Sequence, residues 1–157
     1  MPTSNDSLIE RFYSAFAQRD GAAMQACYAP GVRFSDPVFQ DLHGPEAGAM
    51  WRMLTGRADD LEIELHEHES DGERGTARWV ARYTYSQTGR HVTNDVRASF
   101  RFADGLIAEH VDDFGLYRWE RQALGPVGTL LGWTPMLRGA VRRRARAALD
   151  EFMAKES

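Results

Sequence analysis

The chain has 157 residues, 43% hydrophobic and 27% charged, with a formal net charge of −4 at pH 7. This length suits one domain with a real hydrophobic core, and the acidic balance argues against a general nucleic-acid binder. One cysteine, Cys27, excludes an internal disulfide and a cysteine metal cluster, while no run reaches the ~20 apolar residues of a membrane span.

Residues 1–6 hold no apolar run and none of signal type follows, so a cytoplasmic setting is expected. Ser4, Asn5, Asp6 and Ser7 are N-cap candidates for a first helix. Leu8, Ile9, Phe12, Tyr13 and Phe16 then recur at helical spacing, and that helix is expected to end near Asp20. A second helix, over 22–28, carries Cys27 as a small buried hydrophobe and is closed by Pro30 and Gly31. A short strand over 32–35 runs into Asp36-Pro37, where proline holds Asp36 extended. His43, Gly44, Pro45 and Glu46 open a third helix with proline in its first turn. Its apolar face is Ala47, Met50, Trp51 and Leu54, and Gly56 closes it.

The texture then changes to period two. Leu61, Ile63 and Leu65 alternate with acids and His66, as in a half-buried strand. After a turn at Ser70, Asp71 and Gly72, the alternating set is Ala77, Trp79, Ala81, Tyr83 and Tyr85. A turn over 87–90 leads to Val92, Asn94, Val96, Ala98, Phe100 and Phe102. A further strand over 105–116 is entered from a tight turn at Asp104-Gly105. One of its faces carries Leu106, Ala108, His110, Asp112 and Phe114. This predicts an antiparallel, hairpin-connected sheet with helices ahead of it. Beyond Tyr117, one or two helical turns reach Leu124, and glycines break up a segment carrying Leu130, Leu131 and Trp133. A last helix from about Pro135 has the apolar stripe Leu137, Val141, Ala145, Ala148, Leu149 and Phe152.

The stretches FYSAFAQRDGAAM, VRFSDPVF and SFRFADGLIAEHVDDF resemble the nuclear transport factor 2-like superfamily, over roughly 7–117. The last is similar to the final hairpin of ketosteroid isomerases and SnoaL-like polyketide cyclases. The resemblance implies an α+β fold in which a curved antiparallel sheet wraps around N-terminal helices. The shape implied is a cone-shaped, cystatin-like barrel with a blind pocket. Here 1–117 would be the pocket domain, and 118–157 an extra helical extension packed on it or on a dimer partner. It also implies a homodimer, a hydrophobic small-molecule ligand and no cofactor. In ketosteroid isomerases the base is the aspartate of the Asp-Pro step, which is Asp36 here. Their oxyanion donors fall on Phe12 and Ala98, so both are missing. In SnoaL-like cyclases the acid/base is a last-strand aspartate, and Asp112 with His110 is its counterpart.

The resemblance turns Trp79, Tyr83, Tyr85, Asn94, His110, Asp112 and Phe114 inward, roofed by Met50 and Trp51, with Asp36 near the rim. Such an aromatic-lined pocket with a few polar groups has the form of a small-ligand site. Asp112 is a candidate general base or acid, and alternatively a carboxylate that merely holds His110. His110 either shuttles a proton or orients Asp112, or is a hydrogen-bonded histidine without a chemical role. Asp36 is a candidate base or a turn-capping aspartate. Asn94 is the candidate for polarising a carbonyl oxygen. Trp51, Trp79, Tyr83, Tyr85 and Phe114 are candidate ligand contacts, or simply core. His66 and His68 share a face if the strand is regular, but no third ligand accompanies them, so no metal is expected.

These features point to a cofactor-free enzyme moving protons on a hydrophobic carbonyl compound, of isomerase, aldol cyclase or dehydratase (lyase) type. The alternative is a binding protein for a hydrophobic or aromatic small molecule. A third possibility places the function in the C-terminal segment, where Arg142, Arg143, Arg144 and Arg146 form a basic cluster. The apolar segment over 128–133 is expected to be buried, against the cone or in a dimer interface.

Overall fold

The computed structural model describes residues 4–156. Helices α1 (Ser4–Ala17) and α2 (Gly21–Ala26) lead into strand β1 (Tyr28–Ser35). Ser4 already lies within α1, so the cap of that helix falls outside the described residues. Asp20 caps α2, its side chain accepting from the Ala23 amide. A short β2 (Leu42–His43) precedes α3 (Pro45–Arg57). Then come β3 (Glu62–Ser70), β4 (Arg74–Tyr85), β5 (Arg90–Ala103) and β6 (Leu106–Asp113). The β5–β6 turn needs positive φ at two successive residues, Asp104 and Gly105. Asp-Gly is the sequence that supplies this in a hairpin. Three helices follow: α4 (Leu116–Leu124), α5 (Pro126–Leu131) and α6 (Pro135–Glu156).

The architecture is the expected α+β fold, with one difference in the sheet. Strand order is β2-β1-β6-β5-β4-β3. The β3 to β6 meander is antiparallel throughout, but β1 runs parallel to β6. The sheet is therefore mixed, curved and unclosed rather than a fully antiparallel barrel. The β3–β4 and β5–β6 ladders each contain a register shift, and such bulges bend a strand. On β3 the shift inserts His66, so His66 is exposed while His68 turns toward α1, beside Asp6 and Glu10. The two histidines thus lie on opposite faces, contrary to the regular-strand expectation.

The concave face packs on α1 and α3. Phe12, Phe16, Met50 and Trp51 meet Phe34, Trp79 and Phe100 from the sheet in one buried cluster. Cys27 is buried there too, immediately after α2. A smaller cluster of Val92, Leu116, Trp119 and Ala123 seats α4 on the far ends of β4 and β5. The apolar stripe of α6 joins the main core through Leu149, Ala145, Ala148 and Phe152. Arg52 with Glu156, and Glu46 with Arg146, tie α6 to α3. Of the two places expected to bury 128–133, the cone does not: Leu130, Leu131 and Trp133 are exposed on the chain and join neither cluster.

Candidate functional site

β6 supplies the centre of the site. His110 is 0% exposed and Asp112 4%, and period two puts both on the concave face. Their side chains are bonded, His110 Nε2 to Asp112 Oδ1, at 2.8 Å. On its other side, His110 Nδ1 meets the Tyr28 hydroxyl at 2.8 Å. Tyr28 Oη in turn accepts from Trp51 Nε1, also at 2.8 Å. An indole N–H can only donate, so the Tyr28 proton is left to go to His110 Nδ1. This accounting assigns the proton of His110 to Nε2, which donates to Asp112. Four side chains from α3, β1 and β6 thus form one buried chain ending on a carboxylate. Phe12, Phe34 and Phe100 enclose the imidazole edge-on or tilted, with ring centroids 5.5, 5.0 and 4.5 Å away.

The chain ends at a cavity of about 680 Å³, lined by Asp112 but not by His110. Oδ1 of Asp112 is occupied by His110. Oδ2 has no partner among the described residues and is not one of the sealed unpartnered atoms, so it keeps access to the cavity. His110 therefore cannot touch a ligand and acts only through Asp112.

The parallel β1–β6 ladder decides the position of Asp36. Phe34 pairs with His110 and Ser35 with Val111, so the next step brings Asp36 level with Asp112, on the same face. Asp36 is half-buried and lines the cavity. Its Oδ1 accepts from the Val38 and Phe39 amides at 2.7 and 2.6 Å, which makes it a turn-capping residue as well. Burial pushes its carboxyl up to about 7, the two amides pull it down, and the Asp112 charge adds to the rise. The site thus holds neighbouring carboxyl groups, one of them half-protonated near neutral pH.

All the other candidates line the cavity: Trp51, Trp79, Tyr83, Tyr85, Asn94 and Phe114. Met50 does not; it is wholly buried in the core. The Trp51 N–H is already spent on Tyr28. The Tyr83 hydroxyl accepts from Trp119 Nε1 at 2.8 Å, leaving its own proton free to donate. Burial raises its pKa to about 12, partly offset by the Trp119 bond, so it stays a donor. The Asn94 amide has no partner among the described residues. Register places Asn94 away from Asp112, however. Ala98 faces Asp112 across the β5–β6 ladder, and Asn94 lies a further four residues along, about 13 Å. Asn94 and Tyr83, diagonal neighbours on β5 and β4, therefore line the cavity further along the sheet from Asp112, with Tyr83 within reach of the Asp36 charge.

Two residues escaped the sequence reading. Tyr28 fell at the end of the expected second helix, whereas it opens β1. Trp119 fell in a segment without a predicted role, and it positions Tyr83. Phe12 and Ala98 are both buried, and neither carries a hydrogen-bond donor in its side chain.

A family model described as the SnoaL-like domain matches residues 9–110, well over half of the chain. The chain belongs to the SnoaL-like domain family. Members of that family bind small molecules. Solved structures agree on the fold of this SnoaL-like chain. TsrD from Streptomyces laurentii is 25% identical, with a TM-score of 0.67 over 78% of this chain and 96% of that one. An NTF2-like protein of unknown function from Burkholderia pseudomallei is 22% identical, at 0.67 over 77% and 98%. An LEH-like epoxide hydrolase from M. tuberculosis is 20% identical, at 0.67 over 83% and 98%. No curated protein matches the chain by sequence. The family match stops at His110, so Asp112 and helices α4 to α6 lie beyond it.

Proposed function

We propose that this SnoaL-like chain is an acid/base enzyme acting on a hydrophobic carbonyl compound, by proton abstraction and return. The observation that carries the reading is the buried Trp51–Tyr28–His110–Asp112 chain, which ends on an oxygen open to an apolar cavity. Asp112 Oδ2 removes a proton next to the carbonyl. His110 fixes the rotamer of that carboxylate and donates to Oδ1, so the charge stays in place while Oδ2 works. Asp36, with its carboxyl raised to about 7, supplies a proton to the oxygen on which charge develops. That is the role for which Phe12 and Ala98 offer no donor. Asn94 and Tyr83 hold a second polar group further along the sheet from Asp112, and Trp79 and Phe114 flank the apolar body. Isomerisation, aldol cyclisation and dehydration all begin with this proton transfer.

The test is α-proton exchange in heavy water, followed by NMR across a panel of cyclic ketones and polycyclic 1,3-dicarbonyl compounds. The chain is expected to catalyse exchange, and Asp112→Asn to lower it by about 100-fold or more while binding persists. Undiminished exchange in folded Asp112→Asn would remove Asp112 from the chemistry. A compound that binds tightly and is never exchanged would instead favour a plain binding protein, the reading that the absent oxyanion donors support.

A further inference from the structure

Beyond the family match, the charge of the chain reverses. Residues 114–149 contain seven arginines and a single acid, Glu120, in a chain whose net charge is −4. Glu120 is fully buried, so this stretch exposes no acid of its own, and among its arginines Arg146 is the one paired with carboxylates of the described residues, Glu46 and Asp150. The same stretch displays the largest exposed apolar side chains among the described residues. Leu130 is 70% exposed, Trp133 67% and Met136 81%, with Val127 and Leu131 beside them. Trp133 is not a loose side chain, since its Nε1 donates to the Leu130 carbonyl at 3.1 Å. The indole is held against the end of α5 with its ring outward. On the outward face of α6, Met136 is followed two turns later by the exposed Arg143.

A basic cleft borders this patch. It is lined by Arg90, His91, Arg118, Arg121, Gln122 and Thr129, with no carboxylate among them. Thr129 precedes Leu130 directly, so cleft and apolar patch are continuous. The Arg90 Nε–H is anchored on the Gln122 carbonyl at 2.8 Å, and the Arg121 guanidinium lies 5.3 Å over the Tyr117 ring. The cations are therefore held in place around the cleft.

We propose that α5, with the basic cleft on one side and the start of α6 on the other, is a docking surface for an anionic lipid bilayer. Tryptophan, leucine and methionine projecting from a surface rimmed by arginine are the composition of an interfacial anchor. The arginines meet anionic head groups, while Leu130, Trp133 and Met136 enter the acyl boundary. A second copy of this chain is the poorer occupant, because a two-fold contact sets the same patch against itself, arginines facing arginines. Val127 both lines the cavity and is exposed, so docking would bring the cavity wall to the lipid surface. The docking itself does not depend on what Asp112 does.

The experiment is co-sedimentation of the full chain with vesicles of equal parts phosphatidylglycerol and phosphatidylcholine, against vesicles of phosphatidylcholine alone. Binding is expected to the anionic vesicles only, and to weaken as salt rises. Trp51, Trp79 and Trp119 are buried, so a blue shift of emission on binding reports Trp133 and is lost in Trp133→Phe. Leu130→Ser with Trp133→Ser, and separately Arg118→Glu with Arg121→Glu, are each expected to weaken binding by roughly tenfold or more. Circular dichroism checks that each variant is folded. Three results would overturn the proposal: no sedimentation with anionic vesicles, sedimentation unchanged in both folded variants, or a dimer by light scattering that Leu130→Ser with Trp133→Ser dissociates. The last would give the patch to a second copy.

Discussion

Tyr28→Phe deletes one oxygen from the middle of the buried chain and leaves its ring, which stacks on Phe12 at 5.5 Å, in place. Two hydrogen bonds of 2.8 Å disappear with it, one from Trp51 Nε1 and one to His110 Nδ1. Neither group can turn to water, since His110 is wholly buried and Trp51 nearly so. An unsatisfied buried polar group costs about 1–3 kcal/mol, so the pair should cost about 3 kcal/mol. For a protein of this size that is a fall in Tm of roughly 6–12 °C. A second effect distinguishes this chain from simple packing. The Asp112 carboxylate, which can only accept, holds the proton on Nε2, and the Tyr28 proton fills the acceptor site of the bare Nδ1. Without it, Nδ1 keeps its lone pair but has no donor, while Nε2–H stays on Asp112. Urea unfolding at pH 7.5 measures the first effect, and long-range nitrogen–proton NMR correlation on the histidine ring measures the second. Both proteins are expected to show the Nε2–H tautomer that Asp112 fixes, with the Nδ1 resonance shifted in Tyr28→Phe by the loss of its donor. An Nδ1–H tautomer in wild type, or a loss below about 1 kcal/mol with the Nδ1 resonance unmoved, would refute the assigned direction of the hydrogen bonds.

Asp36→Asn keeps an oxygen for the Val38 and Phe39 amides but has no proton to lose. In wild type the folded carboxyl titrates near 7 and the unfolded one far lower. Between those values the folded state holds the extra proton, so wild-type stability falls as pH rises from about 4 to about 7. Asp36→Asn should therefore gain on wild type between pH 5 and pH 8, by roughly 1–3 kcal/mol; parallel urea midpoints at the two pH values would contradict this. Glu120 is buried with neither carboxylate oxygen partnered, and burial raises its pKa, against the pull of Arg138 and Arg142. Glu120→Gln is expected to be more stable than wild type at pH 8, with the difference shrinking at pH 5; equal stability at both would mean the carboxylate is paired with one of those arginines in solution. Gly128→Ala would set a methyl 2.0 Å from the Glu120 carbonyl oxygen, a backbone atom that cannot swing aside. α4 and α5 would be forced apart, at a cost of about 1–3 kcal/mol or more, and an unchanged thermal midpoint would show that the two helices are not so closely apposed.

Much of the site was legible because strand alternation reports which face a side chain takes. Counting alone grouped Tyr83 with Trp79, Asn94 with Val96 and Asp112 with Phe114, and the family likeness turned those sets to the concave side. Alternation also carried a signal for Tyr28, which shares its parity with Val32 and Phe34, two other inward residues of β1. Pro30 and Gly31 hid it, since they read as the end of a helix when they sit inside an irregular strand. The His66 bulge failed for the complementary reason: one inserted residue flips every later side chain, and nothing in an alternating polar run announces it.

Period two says nothing about which strand lies beside which, and the chemistry depends on that. Asn94 and Asp112 both face inward, yet the ladder separates them by about 13 Å along the strand. Asp36 and Asp112 lie far apart in the chain, yet the parallel β1–β6 ladder makes them neighbours. A purely antiparallel meander would have left each carboxylate alone in an apolar wall. Their adjacency adds the Asp112 charge to the burial that holds the Asp36 carboxyl near neutrality, and a carboxyl poised there can both give and take a proton. The juxtaposition of the two carboxyl groups therefore resides in one strand pairing that residue pattern does not encode. Moving Asp36 out of register with Asp112 would remove the charge contribution and leave burial as the cause of the raised carboxyl, without changing a single lining residue.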